Sequence, residues 1–402
     1  MNIVLFSHPN FMQSQSMPRF AGMLQNAYCS LGHQVQIWSP QAKLYPYFSA
    51  GKLSKWAGYI DQYVLFPLWV RAQIKQQPAD TLYVFCDQAL GPWVPLVKHL
   101  PHVVHAHDLL ALRSALRDIP ENPTSWTGRL YQRYIRHGFK QAKHFISVSK
   151  KTREDLHEYG CVTPIISEVV YNGLNYPYAP MSFDIAAELL EKSNLPANPY
   201  SFLLHLGGSQ WYKNLVGVMH LYTAYVKNTP NALPLVCVSP KPSAAVQALI
   251  ANMPANANVI FVQGIDNSTL QAAYSMAAVF IFPSLAEGFG WPIAEAQACG
   301  CPVLTTDAAP MNEVGGNVVT YIPALKQSDD PQHWAQEAAK KLITLIALTS
   351  AERKAYADAS VANIAKFDAT ATMSAYLAIY EKVLASANSN AQSTTRHLKV
   401  QR

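Results

Sequence analysis

Two α/β domains, each built on a doubly wound parallel sheet, are what this sequence predicts, and three observations carry the expectation. Short runs of β-branched and aromatic residues (3–6, 82–85, 202–206, 279–282) each stop at a polar or Gly/Pro-containing loop, as strands buried on both faces do. Between them lie stretches of helix length, so strand and helix alternate along the chain. With 402 residues, half of them hydrophobic and only 14% charged, there is material for two ordinary cores and too little charge for disorder.

Composition narrows the class further. No apolar run reaches the roughly 18–20 residues that span a bilayer, and Met1-Asn2-Ile3-Val4-Leu5-Phe6 reads as a first strand, not a signal peptide, so a cytoplasmic protein is expected. The six cysteines read as free thiols, since Cys299 and Cys301 share one turn without a distant second pair to complete a zinc site. Residues 1–150 hold 15 Lys or Arg against 6 Asp or Glu, a net +9 within a whole-chain +6, so the rest is net −3. A basic first half points to an anionic partner, such as a phosphorylated acceptor or an acidic lipid surface, with solvated helix faces as the plainer account.

Along the first half, a strand over 3–6, a polar loop over 7–16, a helix over 17–31 and a strand over 34–38 make a βαβ start without a G-x-G-x-x-G fingerprint. Residues 45–71 are dense in aromatics, with Lys52, Lys55 and Arg71 interspersed; they suit either a helix packed on the sheet or a segment at a membrane interface. Strands over 82–85 and 102–106 end at Asp87 and at His107-Asp108. His105 and His107 share a strand face, which permits a metal reading, but no third ligand cluster accompanies them and His105 reads as structural. A helix over 126–143 sets Arg129, Arg133, Arg136 and Lys140 near one face, either solvated or toward a phosphate. A strand over 145–148 leads to Ser149-Lys150, and 169–173 closes the first domain. The stretch 174–200, with four prolines, reads as a linker.

In the second half, Gly207-Gly208 follows a strand and Lys213 stands at a helix start. Backbone N–H groups and an ammonium so placed suit a diphosphate, although the spacing is not that of a Walker A loop. Strands over 235–239 and 259–262 extend the sheet, and Asn267-Ser268-Thr269 reads as a helix cap in preference to a glycosylation acceptor. The most informative stretch runs over 279–307: strand, Pro283-Ser284, a loop with Glu287 and Gly288-Phe289-Gly290, a helix opened by Pro292 with Glu295 expected in its first turn, and a returning strand after Gly300 and Pro302. In open α/β sheets such loops border the ligand. Helices over 334–347, 350–365 and 370–385 follow, and the polar tail over 388–402 is expected to be disordered.

Glu287-Gly288-Phe289-Gly290, Pro292, Glu295-Ala296, Cys299-Gly300 and Pro302-Val303 resemble the signature of the retaining, nucleotide-sugar-dependent glycosyltransferases of GT-B fold. The resemblance implies two Rossmann-like domains facing each other across a cleft: 1–175 on the acceptor side, a linker over 176–200, and 201–368 holding the donor. A helix over 369–387 would pack back on the first domain. It implies that Glu287 contacts the transferred sugar and Glu295 the ribose hydroxyls. Gly207, Gly208 and Lys213 would meet the diphosphate, Gly288, Phe289 and Gly290 would line the donor, and Gly264 and Asp266 would lie near the base. His107 would stand near the reacting centre and the loop over 7–16 would help receive the acceptor. An arginine common in that family after the first glycine is replaced here by Gly208, which leaves charge neutralisation to Lys213.

The expected activity is therefore transfer of a sugar, a hexose by preference, from a UDP- or GDP-sugar to a hydroxyl acceptor with retained anomeric configuration, in polysaccharide or glycolipid assembly. The chain carries no Asp-x-Asp, so neither a metal nor any other cofactor is expected. A lipid-linked acceptor and peripheral contact at the inner membrane face are compatible with the basic first domain, and no nucleic acid is expected. A sugar-nucleotide epimerase of the same fold is the alternative; a phosphorylase and a non-catalytic subunit are more distant ones.

Overall fold

The structure, a computed structural model, describes residues 1–12, 16–48 and 52–400, and the side chains of 12, 16, 52 and 388–400 fall outside that description. The chain divides into two compact units, Met1–Tyr171 with Thr370–Arg402, and Asn172–Ala369.

In the first unit β1 (Asn2–Phe6), α1 (Ser16–Ser30) and β2 (Gln34–Trp38) are followed by α2 (Lys52–Ile60) and α3 (Phe66–Ile74). Then come β3 (Leu82–Phe85), β4 (His102–Ala106), α4 (Leu110–Ala115), α5 (Trp126–Phe139), β5 (His144–Ser147), α6 (Lys150–Tyr159) and β6 (Ile166–Val169). All strands are parallel, in the order β2-β1-β3-β4-β5-β6. The order reverses between β1 and β3, which leaves a crevice at their carboxyl ends. Of the loop 7–16, residues 13–15 lie outside the described residues.

One face of this sheet packs Val4, Phe6, Tyr83, Phe85 and Val104 on α3 and α5; the other packs Ile3, Leu5, Leu82 and Val84 on α1 and the last helix. In that helix, Ala369–Val400, residues Met373, Tyr376, Tyr380 and Val383 form one buried stripe at three- and four-residue spacing. The backbone of this helix extends to Val400.

The aromatic segment after β2 packs its inner side, Phe66 and Val70, into the core. Between α2 and α3 the residues Asp61–Leu65 form a π turn, in which Phe66 N–H reaches back to Asp61 O. Pro67 has no N–H for the next carbonyl, Gln62 O, and that carbonyl is met by Trp93 Nε1–H at 3.0 Å. The buried Asp61 carboxylate accepts N–H bonds from Lys43, Leu44 and Tyr45 at 2.9–3.1 Å, fixing the loop after β2.

The second unit opens with α7 (Phe183–Lys192), then β7 (Leu203–Leu206), α8 (Leu215–Lys227), β8 (Leu235–Val238), α9 (Ala244–Ala251), β9 (Val259–Val262), α10 (Asn267–Met276) and β10 (Val279–Phe282). It continues through α11 (Trp291–Ala298), β11 (Val303–Thr306), α12 (Met311–Gly315), β12 (Thr320–Ile322), α13 (Pro331–Ile346) and α14 (Ser350–Ile364). The parallel order is β12-β11-β10-β7-β8-β9, so the reversal falls between β7 and β10. The stretch 176–200 is not a bare linker: between its proline pairs α7 buries Ala186 and Leu190 and lies against α10. Four prolines signal interruption, yet all four lie outside the ten residues of that helix. The cap of α10 is Asp266, whose side chain accepts Thr269 N–H at 2.7 Å, one residue before the expected Asn267.

Candidate functional site

At the reversal of the second sheet, the loops leaving β7 and β10 are laced together. Gly207 follows β7, and a Cβ built there would lie 2.9 Å from His205 Nε2, so glycine is required by proximity. His205 is fixed in turn: its Nδ1 donates to Ile281 O at 2.9 Å, and burial pushes its pKa down to about 4, so the ring is neutral. A turn at Trp211–Lys213 ends in Asn214, left-handed at φ 53°, which caps α8 through Gly217 N–H and donates its Nδ2–H to Pro283 O at 3.0 Å. Leu285 N–H closes the same seam on Tyr212 O at 2.7 Å.

These contacts leave Lys213 Nζ 2.7 Å from Glu287 Oε1, both side chains largely withdrawn from solvent. Ser284 Oγ stands 2.6 Å from the same carboxylate oxygen, and Lys213 Nζ lies over the Phe282 ring at 5.0 Å. Beside them a cleft of about 450 Å³ is lined by Gly207, Gly208, Lys213, Ser239, Gly264 and Pro292, among others. Gly264 thus borders the cleft, while Asp266 serves as the helix cap.

Glu295 sits at the fifth residue of α11, one residue deeper than expected and just past the first turn, because the helix begins at Trp291 after left-handed Gly290 (φ 104°). It is buried and accepts the Tyr274 hydroxyl at 3.1 Å. Burial pushes its carboxyl up to about 7, against the opposing effects of Tyr274 and Lys213. Gly288 and Gly290 flank Phe289, whose ring is buried edge-on against Phe367 at 5.3 Å. The Phe289 side chain is therefore packing, and what it can offer a donor is its backbone.

In the first unit His107 directly follows β4 with little exposure. Its Nε2–H donates to Cys86 O at 2.9 Å, its N–H to Gln88 Oε1, and its carbonyl accepts Thr152 Oγ1–H. Burial lowers its pKa, with Asp87 opposing, so the neutral ring leaves Nδ1 as the basic nitrogen. His105 is fully buried on the Tyr380 hydroxyl at 2.7 Å. At the β1/β3 reversal His8 Nε2 lies 2.8 Å from Asp87 Oδ2. Burial raises the Asp87 carboxyl, but the hydrogen bond and charge of His8, followed by His107, outweigh it and hold it below the usual range.

Sequence reading brought out Lys213, both glutamates and the glycines, but missed Ser284, Tyr274, His205 and the His8–Asp87 pair. The available signal was positional: each of Ser284 and His8 stands just past a strand that borders a reversal.

Two parallel-sheet units, the second with a glycine loop, a lysine and two glutamates at its strand reversal, define a protein of GT-B type. The description "Glycosyl transferases group 1" matches residues 187–355 and "Glycosyltransferase Family 4" matches 17–176. The two matches together take in both units, and the chain belongs to the glycosyltransferases of GT-B fold. It is 25% identical over 223 residues to the O-antigen chain mannosyltransferase RfbU of Salmonella typhimurium, covering 55% of this chain and 57% of that one. It is 23% identical over 239 residues to the O-antigen chain mannosyltransferase B of Escherichia coli, covering 57% and 61%. The matched region thus spans less than two thirds of either relative. Sucrose-phosphate synthase of Thermosynechococcus elongatus shares the fold at TM-score 0.69 and 18% identity, over 96% of this chain and 100% of that one. A glycosyltransferase of Rickettsia africae does so at 0.68 and 16%, over 95% and 98%.

Proposed function

We propose that the protein transfers a hexose from a nucleoside diphosphate sugar to a hydroxyl acceptor in glycan assembly, with the anomeric configuration retained. The observation that carries this reading is the Lys213–Glu287 pair at the sheet reversal, beside the glycine-lined cleft. Lys213 and the N–H groups of the β7 loop would take the diphosphate, Glu287 the sugar hydroxyls and Glu295 the ribose diol, since a carboxylate accepts two hydrogen bonds from vicinal hydroxyls. The anomeric C–O bond to the diphosphate breaks as the acceptor oxygen bonds to the same carbon on the same face. The acceptor proton passes to the departing phosphate, and Lys213 holds the charge that develops there. That Lys213 and backbone donors can meet this charge supports a metal-independent reaction. His107, neutral and fixed by Cys86, Gln88 and Thr152, is proposed to border the reacting sugar.

The named activities of the relatives make mannose the first sugar to test, from a GDP or UDP donor, with O-antigen-like polysaccharide as the product class. A lipid-linked acceptor, a cytoplasmic location and peripheral membrane contact belong to the same reading, supported by the basic first unit. Thermal shift against a panel of sugar nucleotides tests the donor: a ligand at about 100 times its dissociation constant should add roughly 2.7 kcal/mol. Release of nucleoside diphosphate only with acceptor present is the expected result; interconversion of the donor without acceptor would establish the epimerase instead.

A further inference from the structure

We infer that the outer side of α2, α3 and α5 is a docking surface for an anionic lipid bilayer. The inference deepens the lipid-linked part of the proposed function and rests on that reading only for its biological purpose. Its basis is an unusual distribution of apolar exposure. Leu53, Trp56, Ile60, Val64 and Leu68 are between 41% and 66% exposed, and they recur at spacings of three, four, four and four residues. In an uninterrupted α-helix, steps of four overshoot a full turn by about 40° each, and the row would spiral off its face. The π turn at Asp61–Leu65 holds one more residue per turn and winds the row back, so five large apolar side chains stay aligned outward.

α5 extends the same surface. Tyr63 bonds Tyr131 hydroxyl to hydroxyl at 2.6 Å and meets the Tyr134 ring at 5.6 Å, which sets α5 alongside the π turn. Outward, α5 shows Trp126 at 65%, Leu130 at 49% and Tyr134 at 46% exposure. Beyond it a groove of about 380 Å³ between α4 and α5 has Leu112 and Leu116 in its lining and carries Arg129, Arg133 and Arg136. Lys55 and Arg71 flank the α2–α3 row, and both are exposed. An apolar stripe bordered by cations is the pattern of a surface that sinks side chains below the headgroups and pairs its charges with lipid phosphates. Arg136 donates to Tyr159 O at 3.2 Å, but a protein partner of ordinary polarity would leave Arg129, Arg133, Lys55 and Arg71 unmatched, so charge complementarity selects the bilayer.

The test is flotation of the full chain with phosphatidylcholine vesicles, with and without phosphatidylglycerol. We expect binding to the anionic vesicles, weakening as salt rises, and a blue shift of tryptophan emission in the wild-type protein. Trp56→Ser with Ile60→Ser should weaken binding at least about tenfold, and Arg129→Gln with Arg133→Gln should flatten the salt dependence. The thermal shift given by sugar nucleotides should persist in both variants, which shows that they fold. Absence of flotation and blue shift in the wild type, or equal flotation by the stripe variant, overturns the inference. So does a wild-type dimer by light scattering that the stripe variant converts to monomer, since a second copy would then cover this face. Vesicle binding without any sugar-nucleotide shift would sustain the docking surface and count against the transferase reading alone.

Discussion

Each sheet reverses its strand order once, and at each reversal one contact to a carboxylate joins the loops of the diverging strands. In the second unit it is Lys213–Glu287 at 2.7 Å; in the first it is His8–Asp87 at 2.8 Å. The difference lies in what surrounds them. After β7 come two glycines, which let a ligand approach the backbone, and a cleft of about 450 Å³. After β1 come Ser7, His8 and Pro9, with bulk at every position and no N–H at Pro9. One topology therefore yields a lysine–glutamate pair beside a glycine-lined cleft in one unit and an imidazole oriented by a carboxylate in the other.

The largest expected effect separates the two pairs directly. Lys213→Ala should lower glycosyl transfer about 10²–10³-fold in a turnover assay, as loss of a charge-stabilising donor does. If His8→Ala abolished sugar-nucleotide binding to the same extent, the division of labour between the reversals would be wrong. Next comes pH. With its carboxyl at about 7, Glu295 is protonated under mildly acidic conditions and would accept fewer of the ribose hydrogen bonds proposed for it. Donor affinity by calorimetry should fall below pH 7, by up to about tenfold per unit. The unliganded protein should respond in the opposite sense. A carboxyl raised on folding contributes stability below its unfolded value, near 4.5, which is lost as pH climbs toward 7; Glu295→Gln should flatten both slopes.

His8→Ala should cost about 1–3 kcal/mol in denaturant unfolding, because it leaves the buried Asp87 with only the Ala89 N–H as its hydrogen-bond donor. The acid side then shifts as well. Asp87 is held low on folding, so its contribution is present above about 3.8 and lost as pH falls through the folded value; without His8 the acid midpoint should move upward. The smallest effect is a control on the backbone. Gly32 (φ 82°) and Gly290 (φ 104°) should each lose about 1–2 kcal/mol on change to alanine, yet only the Gly290 variant should alter donor affinity.

How much was legible in the sequence follows from how far apart the partners lie along it. Glycine, lysine and glutamate near strand ends announce a site because their chemistry is local, and the strands themselves are continuous apolar runs. The seam that aligns them is not local: Asn214 reaches Pro283 across 69 residues, and Lys213 reaches Glu287 across 74. His8 and Asp87 are 79 apart, with nothing in their spacing to pair them. The depth of Glu295 depended on where α11 begins, which the left-handed Gly290 decides by a single residue. The π turn left only an interrupted pattern around Pro67.

The resting contact between Lys213 and Glu287 also governs what may enter. Each group already has its counter-ion, so a ligand that offered phosphate alone would take the ammonium and leave the carboxylate only the Ser284 hydroxyl, while one that offered hydroxyls alone would leave the ammonium without its carboxylate. Only a molecule presenting both ends at once repays the exchange. On the proposed reading, the pairing would disfavour plain nucleotides and free sugars relative to the compound that joins them.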